Sequence, residues 1–267
     1  MRYVSFLDIL GFGSLIETRK LEEVMGRLNH VLSMVLPMVK GLGKVPNDTR
    51  QFHVGLTVEK LTVFSFSDTF VLYSEDDSPD SFFQIVAGSK LFCSYLISMG
   101  LPVRGALTLG EAECIPNTQH LVGKAIVRAA RLEKMQEWFG VLIDPQIMNA
   151  QQRQILDTPL LKPLTVNYTV PVKPGESLPV PSIAINWRFN LVVQNGIESL
   201  FPESSDPAHQ VKRQNTLDFC RWLRGQKMID GHPIGPDGKE LSIPWLNGLW
   251  VGESIPGTAG KWQNEEY

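Results

Sequence analysis

The chain has 267 residues, 43% of them hydrophobic and 20% charged, with a formal net charge of −3. That is enough apolar material for one sizeable core, or one core plus an annex. The slightly acidic balance excludes a general attraction to nucleic acid or to an anionic membrane surface, so any polyanionic ligand must be held by a local site. No apolar run reaches the roughly 18 residues of a membrane-spanning helix, the longest candidate, Val31 to Val39, being interrupted by Pro37. Cys93, Cys114 and Cys220 are odd in number, widely spaced and without metal-ligand spacing, and no secretory segment opens the sequence. These features imply a soluble cytoplasmic protein with free thiols.

Taken in chain order, Tyr3 to Leu7 reads as a short buried strand, ended by Asp8-Ile9-Leu10-Gly11-Phe12-Gly13, a glycine-containing turn into a helix. Leu21, Val24, Met25, Leu28, Val31, Leu32 and Val35 recur at helical spacing and predict a long core-facing helix over 21–39. After a turn-rich stretch from Gly41 to Asp48, Phe52 to Val54, Leu61 to Phe66 and Phe70 to Tyr73 favour extended structure, which puts Ser67-Asp68-Thr69 at a tight turn. Phe82 to Met99 predicts a second long helix closed by Gly100 and Pro102. Val103 to Gly110 follows as a strand, Gly123 to Gln136 as a helix and Trp138 to Asp144 as a strand. The order β-α-β-β-α-β with an added helix and strand is a split βαβ arrangement, so the fold class is α+β with a ferredoxin-like βαββαβ core. Beyond about Pro174 the chain is rich in proline, with a strand near Ile183 to Asn186 and a helix near Val211 to Leu223. Gly, Pro and Trp mark an irregular annex from His232 onward. This divides the chain into a core over 1–173 and a C-terminal extension over 174–267.

Asp8 ends a buried strand just before a glycine turn, where a carboxylate is unfavourable unless paired or bound to a metal; capping the next helix is the ordinary alternative. Asp68 sits at a hairpin tip, where Ser-Asp-Thr is also common turn chemistry. In a β-α-β-β unit the first and third strands lie side by side, which brings the two carboxylates to one sheet edge. Such oxygen ligands suit Mg²⁺ or Mn²⁺, and the Gly11-Phe12-Gly13 turn offers backbone N–H groups to phosphate. On the 123–136 helix, Val127 and Arg131 share a face, and the ordinary fate of Arg131 is a surface ion pair near Glu133 or Glu137.

Phe6-Leu7-Asp8-Ile9-Leu10-Gly11-Phe12 resembles the first metal motif of class III nucleotidyl cyclases, and Phe66-Ser67-Asp68 resembles the second, with serine where glycine is commoner. Arg104 to Gly110 is similar to their strand leading to the base pocket, and Gly123 to Glu133, ending Ala-Ala-Arg-Leu-Glu, to their catalytic helix. The likeness covers residues 3 to 173. It implies that Asp8 and Asp68, with Ile9, hold two Mg²⁺ or Mn²⁺ ions, and that Gly11, Phe12, Gly13 and Lys173 bind phosphates. It also implies that Arg131, supplied across a homodimer with its active sites at the interface, stabilises the α-phosphate in the transition state.

Two departures from the pattern matter. Val127 stands where these cyclases carry a ribose-orienting asparagine, a role for which Arg128 is a conceivable substitute. Phe64 and His120 stand where adenylate cyclases carry the purine-reading lysine and aspartate, and Arg50 is a further candidate base reader. Metal aspartates kept and purine readers lost resemble the bacterial pyrimidine cyclases of Pycsar anti-phage systems. That resemblance implies a nucleoside triphosphate substrate, UTP or CTP, a cyclic UMP or cyclic CMP product, and a separate effector protein that the product switches on, with no nucleic-acid or membrane partner. An adenylate or guanylate cyclase with an atypical pocket, and a cyclase-like domain that binds without catalysis, are the alternatives. His-Glu-x-x-His, Gly-x-Ser-x-Gly and Walker motifs do not occur in the chain.

Overall fold

The computed structural model describes residues 1–40, 61–115, 121–157, 164–187 and 205–225. Its first strand, β1 (Arg2–Ile9), leads through a short helix α1 (Phe12–Thr18) into α2 (Leu21–Lys40). Arg19 is extended and separates the two helices, a break the sequence reading did not include. The hairpin β2 (Leu61–Phe66) and β3 (Thr69–Ser74) turns at Ser67-Asp68, with Thr69 of the expected Ser67-Asp68-Thr69 turn already in β3, and Ser67 takes a positive φ of 55°. Helix α3 (Pro79–Ser98) is capped by Ser78, whose hydroxyl accepts from the Ser81 N–H at 3.3 Å. It leads to β4 (Val103–Gly110) and a small hairpin, β5 (Glu113–Cys114) with β6 (Leu121–Val122). Helix α4 (Lys124–Met135), β7 (Gly140–Ile143) and α5 (Ala150–Leu156) follow, then β8 (Thr165–Tyr168), β9 (Ser182–Ile185) and α6 (Pro207–Gly225). The strand expected at Phe52 to Val54 and the annex expected from His232 onward lie outside the described residues.

Seven strands form one sheet in the order β2-β3-β1-β4-β7-β9-β8. The first four strands take the order expected of a βαββαβ core: β1 is central, antiparallel to β3 on one side and to β4 on the other, and β7 adds parallel to β4. The molecule is α+β, as the sequence indicates. The sheet continues past residue 173, since β9 pairs with both β7 and β8.

Alternation along β1 sorts its side chains to two faces. Tyr3, Leu7 and Ile9 enter the main core, and Ser5 meets the Ser89 hydroxyl of α3 at 2.8 Å. Val4 belongs to a second, smaller cluster with Tyr73, Ala112 and Ala125, the last from α4. Phe6 and Asp8 follow Val4 on that α4 side. Helix α3 is buried continuously from Ser81 to Ile97 because it is enclosed by α2, the sheet and α5. Helix α2 buries Val24, Val31, Val35 and Val39, while Leu21 and Met25 remain exposed, so its apolar stripe is narrower at the start than the sequence suggests. Gly105 has to be glycine: a Cβ there would collide with the Phe6 carbonyl oxygen and approach Leu7 Cδ2 to 2.6 Å, where β1 and β4 come close. No described helix is long and apolar enough to cross a membrane.

Candidate active site

The C-terminal end of β1, the β2–β3 hairpin tip and the start of β4 meet at one edge of the sheet. The Ile9 N–H donates to the Asp68 carbonyl at 2.9 Å, so strand pairing brings together two acidic residues sixty positions apart in the chain. Asp8 is opposite Thr69 on one side and Arg104 on the other. The Thr69 hydroxyl donates to Asp8 Oδ1 at 3.1 Å. Burial, followed by the negative charge of Glu133, pushes the Asp8 carboxyl up to about 6; Thr69 works against that rise, Asp68 adds to it and Arg104 opposes it. This edge therefore carries a surplus of partly desolvated negative charge.

Such a surplus, made of carboxylate oxygens, fits a hard divalent cation. Among the described residues no group of three or more His, Cys, Asp or Glu side chains could hold a metal by itself. Two carboxylates are the usual protein share for Mg²⁺, which takes further oxygens from substrate phosphates and water. The Ile9 side chain is buried in the core, so only its main-chain carbonyl is of a type that binds such an ion. Next along the chain, Gly11 has a left-handed φ of 69° at the start of α1, and a Cβ on Gly11 or Gly13 would meet nothing within 4 Å. The N–H groups of this exposed turn are accessible, while the Phe12 ring packs on the core.

Arg104 and Glu133 were not recognised as a pair from sequence. Glu133, expected near the surface as a partner for Arg131, is 2% exposed. Its Oε1 accepts from Arg104 Nε at 2.6 Å and lies 2.5 Å from Nη2, and Arg104 Nη1 donates to the Gln136 carbonyl at 2.9 Å. Arg131 is exposed and makes no ion pair with a described residue. It lines a groove on the outer face of α4 with Gly123, Lys124, Val127 and Arg128. The Arg128 guanidinium grips the buried Asp144 carboxylate through Nε and, at 2.8 Å, through Nη2.

Lys173 is exposed beside the end of α4, its N–H donating to the Met135 carbonyl at 2.8 Å. Lys212 of α6 shares that corner. Burial and the like charge of Arg104 hold its ammonium below the usual lysine value; Glu137 and Asp206 oppose this, and Lys173 adds to it. No local sequence signal marks Lys212, because α6 is brought to the corner by tertiary contacts, among them hydrogen bonds from Asn215 Nδ2 to the Glu137 carbonyl, 2.6 Å, and from the Phe139 N–H to the Thr216 hydroxyl, 2.8 Å. Phe64 lies half-buried in the small cluster between the sheet and α4, its ring 5.5 Å from Tyr73. Arg50 and His120 lie outside the described residues.

No protein-family model matches the chain, and no curated protein matches it. Among solved structures, the chain is similar to the guanylate cyclase domain of RhGC from Catenaria anguillulae in complex with GTP. Identity is 14% and the TM-score 0.42, over 69% of this chain and 93% of that one.

Proposed function

We propose that the protein is a nucleotidyl cyclase that converts a pyrimidine nucleoside triphosphate to its 3′,5′-cyclic monophosphate and pyrophosphate. The observation that carries this reading is the meeting of Asp8 and Asp68 at an anionic sheet edge beside the open Gly11–Gly13 turn. The 3′-oxygen forms a bond to the α-phosphorus, the bond from that phosphorus to the bridging oxygen breaks, pyrophosphate departs and the hydroxyl proton passes to solvent. Asp8, Asp68 and the Ile9 carbonyl would hold two Mg²⁺ or Mn²⁺ ions, which supply acidification of the hydroxyl and neutralisation of the phosphates. The Gly11–Gly13 N–H groups and Lys173 bind the phosphate chain. Arg131, on an exposed face with no partner of its own among the described residues, stabilises charge on the α-phosphate of a nucleotide held by a second copy of the chain.

Support for the dimer comes from apolar surface on the α4 side. Val127 is 59% and Phe66 85% exposed there, apolar side chains that a second copy of the chain would cover. Support for a pyrimidine comes from Phe64, which offers an apolar ring where a purine-reading lysine is expected. UTP is the preferred substrate in this reading and CTP the second candidate, and the product serves as a second messenger for a separate effector in anti-phage defence. A nucleotide-binding domain without catalysis is favoured by one observation, the exposed Val127 in place of an asparagine.

The test is incubation of the protein with ATP, GTP, CTP and UTP in Mn²⁺, with Asp68→Asn as control. Cyclic UMP or cyclic CMP from the wild type alone is the expected result; cyclic AMP or cyclic GMP would overturn the pyrimidine assignment. Arg131→Ala is expected to lower turnover about a hundredfold or more, the size of effect seen on removing a single transition-state donor, while leaving the melting temperature unchanged because the side chain is exposed. Mixing Arg131→Ala with Asp68→Asn should recover part of the activity, since a mixed dimer keeps one intact site. No recovery would place Arg131 in the same site as its own Asp68.

A further inference from the structure

A buried ion pair is weak evidence for stability, because apolar residues of similar volume often serve as well or better. Arg104 and Glu133 nevertheless form one, and Arg104 Nη1 also donates to the Gln136 carbonyl. Its location suggests a role. Arg104 is the cross-strand neighbour of Asp8 in the β1–β4 register, a separation of about 5 Å between Cβ atoms in such pairs. Asp8 and Arg104 both lie on the side of the sheet that α4 covers, and Glu133 comes down onto them from α4. Three charges thus share one partly desolvated volume, and the two members of the pair act on Asp8 with opposite sign, Glu133 the more strongly.

We propose that Arg104 and Glu133 set the cation affinity of the Asp8–Asp68 edge: Glu133 offsets the positive charge that Arg104 brings beside the metal carboxylates. This rests on the reading of that edge as a cation site. Arg104 holds the end of α4 against the sheet and, unpaired, would repel a divalent ion. Glu133 offsets that repulsion through its charge, with its Oε1 held by the guanidinium. The two residues are positioning residues that act through the field at the site.

The consequence distinguishes this from a purely structural pair. Losing either member of a structural pair harms the site in the same direction, whereas removing opposite charges beside a cation shifts its affinity in opposite directions. The experiment is titration of the full-length, nucleotide-free protein with Mn²⁺, free ion being followed by electron paramagnetic resonance, alongside thermal melts. Glu133→Gln, which keeps shape and hydrogen bonding, should weaken Mn²⁺ binding about tenfold or more, and Arg104→Met should tighten it by a similar factor. The neutral double variant Arg104→Met/Glu133→Leu should return to within about threefold of the wild type, since the field at the cation is then again balanced. If both single variants weaken binding, or if Glu133→Gln binds as the wild type does, the proposal is overturned; the second result decides even if Arg104→Met fails to fold. Binding by the wild type that Asp8→Asn abolishes supports the cation reading separately. No binding by the wild type would sink that reading and the proposal with it.

Discussion

Asp8→Asn should abolish product formation and at the same time raise the melting temperature of the metal-free protein. The activity loss follows from removing one of two carboxylates at the sheet edge, and about a thousandfold or more is expected, at least the scale of losing a preorganised charge-stabilising group. The stability gain follows from the position of the Asp8 pKa, pushed up to about 6 from an ordinary 3.8. A carboxyl that holds its proton longer in the folded than in the unfolded state makes the fold more stable at low pH. That advantage disappears as pH rises through the interval from about 4 to about 6, and above it the ionised Asp8 weighs against the fold in full. Asparagine removes the ionisation. In EDTA the two proteins should therefore melt together near pH 4, and the variant should melt higher, by about 2–4 °C, near pH 7.5. Added Mn²⁺ should reverse the order by stabilising only the wild type through mass action. A variant that melts lower than the wild type at pH 7.5 in EDTA would show that Asp8 is a structural cap.

The second large effect concerns the junction between α6 and the sheet. Phe219 is fully buried, with ring centroids 4.8 Å from Trp138, 4.7 Å from Tyr168, 5.6 Å from Trp187 and 6.1 Å from Trp222. Truncation to alanine leaves a cavity ringed by rigid aromatic side chains that cannot close it, so Phe219→Ala should destabilise by about 3–5 kcal/mol. A chain of this size should then melt roughly 10 °C lower. Phe219→Leu, which retains most of the volume, should lose less than half as much. Equal losses for both would mean that the ring contacts, rather than the filled volume, fix α6. The same junction carries Lys212 to the Lys173 corner through Asn215 and Thr216, so Phe219→Ala should also expose the 205–225 segment to protease under conditions where β1 to β4 remain protected.

Much of this architecture is legible in the sequence because its determinants are local. The apolar runs at Tyr3 to Leu7 and Val103 to Gly110, the hairpin turn at Ser67-Asp68, and the helical spacing over 21–39 each announce an element from neighbouring residues alone. The order of those elements then leaves few topologies, and β1 between β3 and β4 puts Asp8 beside Asp68 by simple connectivity. The short elements α5 and β8 and the two-residue strands β5 and β6 have weak local signals and are not legible in the sequence; α5 depends on packing against α3, β8 on pairing with β9 and β5 on pairing with β6.

The chain by itself therefore determined which residues bear carboxylates at strand ends and which helix carries an arginine on an exposed face. Only the tertiary structure decided how the charges are matched. Glu133 reads as a surface residue because it follows Arg131 by two positions, but the register of α4 turns it inward onto Arg104, twenty-nine residues away. Arg128, on the same groove, is paired with the buried Asp144, while Arg131 is left free of ion pairs with described residues. Helical periodicity states which residues share a face; the strand on which that face lands determines whether a charge is solvated, paired or placed beside another charged group. That choice rests on contacts between residues far apart in sequence, and their energies arise only when burial removes water from both partners.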